Sequence, residues 1–96
     1  MKTEDYKKSL IKRLKNPEYA VGYLSEVMAN ESQEAFLIAL RDIIEAREEN
    51  VTELSEKIGL TRQGVYKALS ESGNPRLSTV KEVLNSLGFT LSISQK

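Results

Sequence analysis

Residues 51–69 read VTELSEKIGLTRQGVYKAL, and the spacing of apolar side chains in this stretch decides the fold. Val51, Leu54 and Ile58 recur on one face of a 3.6-residue period, with Glu53, Glu56 and Lys57 on the other. Gly59 follows the last periodic residue, where a residue without Cβ accepts the left-handed backbone that ends a helix. Leu60 is then expected to point back into the core. Thr61 is placed to cap the next helix by accepting a hydrogen bond from an early backbone N–H. That second helix turns Val65, Ala68 and Leu69 inward and leaves Arg62, Gln63, Tyr66 and Lys67 outside. Two short helices hinged at a glycine make a helix-turn-helix, and small Ser55 suits its tight packing. The expected DNA-contacting residues are Thr61, Arg62, Gln63, Tyr66 and Lys67, since Arg matches the acceptors of guanine, Gln matches adenine, and this motif presents its second helix to the major groove. Ala68 departs from the pattern, because a larger apolar residue usually fills the gap between the helices, a place Leu69 can take. The competing reading is a plain helical hairpin whose Arg62, Gln63 and Lys67 are merely solvated.

The 96 residues suffice for one domain and one core. Fourteen Lys and Arg balance fourteen Asp and Glu, so no global positive field draws the chain to nucleic acid or membrane. The charges are nevertheless segregated. Residues 1–16 carry Lys2, Lys7, Lys8, Lys12, Arg13 and Lys15 against Glu4 and Asp5; residues 17–49 are acidic; residues 50–96 are mildly basic. The chain has no Cys and no His, which removes disulfides, thiolate metal sites and the commonest acid-base catalyst. No phosphate-cradling glycine loop and no nucleophile setting is recognisable, and Glu45, Glu48 and Glu49 lack the alternating spacing of a calcium loop. No enzymatic activity, catalytic residue, cofactor or metal is expected. No apolar run approaches a membrane span and no secretory signal core opens the chain, so a soluble cytoplasmic protein is expected.

Around the motif, Thr3 is expected to cap a first helix with Tyr6, Leu10, Ile11 and Leu14 on its apolar stripe. Asn16 followed by Pro17 starts a second helix running to about Ala29, with Ala20, Tyr23, Leu24, Val27 and Met28 on its core face. Asn30 with Gln33 resembles a capping box and opens the most apolar segment, to about Arg47, where Phe36, Leu37, Ile38, Ala39, Leu40, Ile43 and Ile44 cover more than one face. Glu34, Asp42, Glu45 and Glu48 form its expected solvated side. After the motif, Gly73, Asn74 and Pro75 specify a turn, from which Asn74 and Arg76 are candidates for phosphate contact. A last helix, about residues 77–87, is expected to bury Leu77, Val80, Val83, Leu84 and Leu87 and to end at Gly88. Beyond it Phe89, Leu91 and Ile93 alternate with Thr90 and Ser92, which predicts a strand over 89–93. No second strand is evident, so the open alternatives are pairing with a second copy to make a dimer, addition to a partner's sheet, or packing on the chain's own helices.

With these residues in hand, the chain resembles the putative addiction-module antidotes of bacterial type II toxin-antitoxin systems, which carry a Cro/repressor-like domain. The resemblance is most specific over GLTRQGVYKALSESGNPRLST, residues 59–79, and includes the ending LGFTLSI, the Tyr23-Leu24 pair and the run from Phe36 to Leu40; the basic first block matches least. It implies a mainly α fold: a five-helix lambda-repressor-like helix-turn-helix domain over 31–96 with a helical extension over 1–30 and one short C-terminal strand, all within a single domain. It also implies an antitoxin that neutralises a RelE/HigB-like ribonuclease toxin and represses its own operon by binding operator DNA as a homodimer. A stand-alone prophage-type repressor and a helical interaction domain that never touches DNA remain the alternatives.

Overall fold

The computed structural model describes residues 3–47, 51–70 and 74–95, with side chains from Asp5 onward, and six helices form among them. They are α1 (Thr3–Leu14), α2 (Pro17–Asn30), α3 (Gln33–Ala46), α4 (Val51–Ile58), α5 (Arg62–Ala68) and α6 (Leu77–Ser86). Among the described residues, 31–96 holds four helices, α3–α6, where a five-helix domain is expected, α1 and α2 make up the extension over 1–30, and the expected strand over 89–93 is not formed. The Thr3 cap and the Gly73 part of the expected turn lie outside the described residues and side chains.

Local chemistry explains most boundaries. The Asn16 Oδ1 accepts from the backbone N–H of Glu18 (2.9 Å) and Tyr19 (3.3 Å), and Pro17 occupies the first turn, where its missing N–H costs nothing. At the start of α3 the cap is Ser32, whose Oγ accepts from Ala35 N at 3.1 Å. Asn30, expected there, instead closes α2 and donates its side-chain amide to Glu26 one turn earlier. Gly59 (φ 74°) and Gly88 (φ 87°) end α4 and α6 in the left-handed region. In both places the next residue donates back across five positions, Leu60 N to Ser55 O (3.0 Å) and Phe89 N to Leu84 O (2.8 Å), which satisfies carbonyls the helix end leaves open.

The helices pack as two groups sharing one core: α1 and α2 lie on α3, and α4 holds α5 and α6. Leu14, Ala20, Leu40, Ile43 and Val83 are wholly buried, and Val51, Leu54, Val65 and Leu69 complete the core from the second group. Leu69 takes the inward place that Ala68 cannot fill, since Ala68 is half-buried while Leu69 is enclosed. Buried Ser55 satisfies its hydroxyl by donating to the carbonyl of Val51 at 2.8 Å.

Three apolar residues expected in the core stand at the surface. Met28 is 47 % exposed, Leu77 64 % and Leu60 39 %. Met28 and Leu77 sit near helix ends, where the period continues past the last neighbour able to cover it, and Leu60 lies in the turn with its backbone spent on Ser55. Leu14→Ala should therefore cost about 2–5 kcal/mol, as cavity-forming substitutions in a packed core do. Leu77→Ala should stay within about 0.5 kcal/mol, the usual range of surface changes; urea unfolding of the two variants checks the contrast.

Candidate functional site

The turn over 59–61 fixes α5. Thr61 Oγ1 accepts from Gly64 N at 3.0 Å, as its position predicts. A Cβ on residue 64 would stand 3.2 Å from that hydroxyl and 3.5 Å from Leu60 Cβ, so glycine lets the cap close without displacing either. Val65 and Leu69 then pin the inner side of α5 to the core, and Thr61, Arg62, Gln63 and Lys67 remain exposed. A short helix anchored on one side and started by a capped turn holds its outer side chains on a defined backbone.

Tyr66 does not stand with them. It is half-buried and packed against the core, and burial first, then the Glu45 carboxylate, pushes its phenol up while Arg62 and Arg41 pull it down. Asn74 and Arg76 are exposed just before α6, and Arg76 precedes that helix without a side-chain cap bond.

The tail beyond Gly88 carries no helix or strand among the described residues. Phe89 is half-buried with the Arg47 guanidinium 5.2 Å from its ring centroid, and Arg47 Nη1 donates to Leu87 O at 2.9 Å. Leu91 borders a shallow apolar groove with Val21, Met28, Phe36 and Leu84, whereas Ile93 is fully exposed. Among the described residues no backbone hydrogen bond joins 90–95 to another segment, which is why alternating polarity alone did not produce a strand. Of the three tail residues expected to join subunits, Phe89 is thus largely occupied by its own chain.

Asp42, expected on the solvated side of α3, is 7 % exposed. Burial raises its carboxyl above the ordinary range while Lys7 and Arg41 act against that rise. Glu45 beside it is half-buried and pairs with Lys7 at 3.6 Å; Glu48 lies outside the described residues. Among the described residues no three His, Cys, Asp or Glu side chains gather as a metal site would require, and no helix is long and apolar enough to cross a membrane.

The model of a family described as "Probable addiction module antidote protein" matches residues 4–95. A Haemophilus influenzae protein described as uncharacterized is 38 % identical over 73 residues, covering 76 % of this chain and 73 % of its own. No solved structure matches the chain.

Asp42 generates a pH prediction. Its raised folded pKa means the native state holds the proton more tightly than the unfolded chain, so its contribution is fully present below the ordinary 3.8 and is lost as pH rises through the folded value. Asp42→Asn should accordingly be more stable than the unaltered chain at pH 7, with the advantage shrinking as the pH falls toward 3.8. Urea midpoints measured across that interval check both the sign and the trend.

Proposed function

The chain belongs to the family of probable addiction module antidote proteins, and from that premise we propose that it is the antitoxin of a type II module that neutralises a RelE/HigB-like ribonuclease toxin and, as a homodimer, binds operator DNA to repress its own transcription. Family membership implies a toxin partner in general; the toxin class, the DNA and the dimer are the proposal. The observation that carries the DNA reading is the outer side of α5. Arg62, Gln63 and Lys67 are exposed there on a helix whose start is held by the 3.0 Å Thr61 cap and whose back is buried through Val65 and Leu69. In a helix-turn-helix this is the side that enters the major groove. Thr61, Asn74 and Arg76 flank it as candidate phosphate contacts, and Tyr66 supports α5 from within more than it reads bases.

The toxin is assigned to the outer side of α2. Glu18 and Glu26 are exposed there, with Val21 and Met28 on the flank beside Leu91 and Tyr19 on the opposite flank beside Tyr6 and Arg13, where its ring stacks on Tyr23 at 6.4 Å between centroids. An acidic face flanked by aromatic and apolar anchors complements the basic surface with which a ribonuclease holds RNA.

Co-expression with the product of an adjacent small, basic reading frame tests the two activities together. The unaltered chain should restore growth. Arg62→Ala should still restore it while losing about 1–3 kcal/mol of operator affinity and one position of preference in each half-site. Lys67→Ala, if its contact is phosphate, should weaken all sequences alike and reduce the salt slope by about one. A chain that binds DNA but never restores growth is a stand-alone repressor instead.

The dimer is assigned to the tail, whose backbone between 90 and 95 offers unpaired edges and whose Ile93 is uncovered. Antiparallel pairing of two tails about a two-fold axis would set two α5 helices about one DNA turn, roughly 34 Å, apart. Proline at a central pairing position removes a ladder donor. Leu91→Pro is expected to give a folded monomer in sedimentation with sharply weaker operator binding, and an intact dimer would reject the assignment.

A further inference from the structure

Helix α1 bears a basic stripe that the α5 reading does not use. Lys8, Lys12 and Lys15 follow one another at i, i+4 and i+7 and so share a face, all exposed, on the side away from buried Leu10 and Leu14. With Lys7 and Ile11 they line an open groove whose far wall is Glu45. Among the described residues Lys7 is the lysine of this groove with an ion-pair partner, Glu45 at 3.6 Å, which also cancels the groove's one carboxylate.

The groove borders the surroundings of α5 at one residue. Glu45, which pairs with Lys7 and lines the groove, is also one of the charges that act on Tyr66 of α5, as Arg62 and Arg41 are. The groove's cations are Lys7, Lys8, Lys12 and Lys15. The chain as a whole is neutral, so this is a local concentration of charge and not a reflection of net charge.

We infer that the α1 lysine stripe is a second DNA contact, which holds the phosphate backbone of duplex flanking the site that α5 reads. The chemistry favours a polyanion over a protein. Protein-binding surfaces are depleted in lysine and built on aromatic anchors, and the exposed rings near α1, Tyr6 and Tyr19, line a separate pocket with Arg13. Three long, mobile ammonium groups with half-buried Ile11 beside them suit sequence-independent phosphate contact. Duplex DNA is favoured over RNA because Glu45 both borders this groove and acts on Tyr66 of α5, and to that extent the inference rests on the proposed function. It assigns to the N-terminal helix a role in affinity and footprint length, with no role in base choice.

The test uses the full chain with Lys8, Lys12 and Lys15 all changed to Gln, alongside a triple Lys→Arg variant, on duplexes from the chain's own upstream region with long or trimmed flanks. The Gln variant should bind the long duplex with a log-log salt slope shallower by about 0.9 for each lysine engaged, roughly 2–3 in all, and with unchanged base preference. The Arg variant should restore the slope, and trimming the flanks should make the unaltered chain behave like the Gln variant. Lys81→Gln, an exposed lysine on α6, should leave the slope as it was. An unchanged slope in the Gln variant while Arg62→Ala loses selectivity overturns the inference and leaves the α5 reading standing. Loss of toxin neutralisation by the Gln variant with DNA binding intact overturns it in favour of a protein contact, and failure of the unaltered chain to bind any of these duplexes overturns both readings.

Discussion

Helix α3 must be covered over more than half of its circumference, and the rest of the molecule is arranged to meet that demand. Phe36, Leu37, Ala39, Leu40, Ile43, Ile44 and Ala46 are all buried, a set too wide for a single neighbour on a 3.6-residue helix. Helices α1 and α2 cover one side with Leu10, Leu14, Ala20 and Leu24. The second group approaches the other side, where Arg47 at the end of α3 clasps Leu87 O and Phe89 and so fixes the exit of α6. The same demand buries Asp42, at an electrostatic cost that Lys7 and Arg41 offset in part. Because α3 joins the two groups, the position of α5 depends on side chains far from it in sequence.

What the sequence made legible was what local chemistry decides. Gly59, Gly88, the Asn16-Pro17 pair and the Thr61 cap each act within a few residues, and each appears in its expected place. The exposed positions of Arg62, Gln63 and Lys67 followed from the inward period of Val65 and Leu69. What was not legible depended on neighbours. Periodicity shows which residues are able to form an apolar face, but Met28 and Leu77 show that a face can extend past its cover. Asp42 reads as solvated and Tyr66 as outward, yet the folded chain buries the first and packs the second against the core. Asn30 and Ser32 are both capping residue types two positions apart, and their spacing alone did not choose between them. In the tail, alternation described two faces correctly but carried no information about a partner for the ladder.

The charge blocks of the sequence become distinct surfaces once the chain is folded. Basic residues line the outer side of α1, Glu18 and Glu26 lie on the outer side of α2, and α5 presents Arg62, Gln63 and Lys67. A neutral chain is therefore able to present one surface suited to an anion and another suited to a cation.

The proposed function puts toxin and operator on different surfaces of one chain. Native mass spectrometry of the chain mixed with the adjacent gene product and a duplex from its own upstream region tests this. A single assembly containing all three components is expected, with neither partner displacing the other as its concentration is raised. Mutually exclusive complexes, in which the protein partner releases the DNA in strict proportion to its own binding, would contradict it.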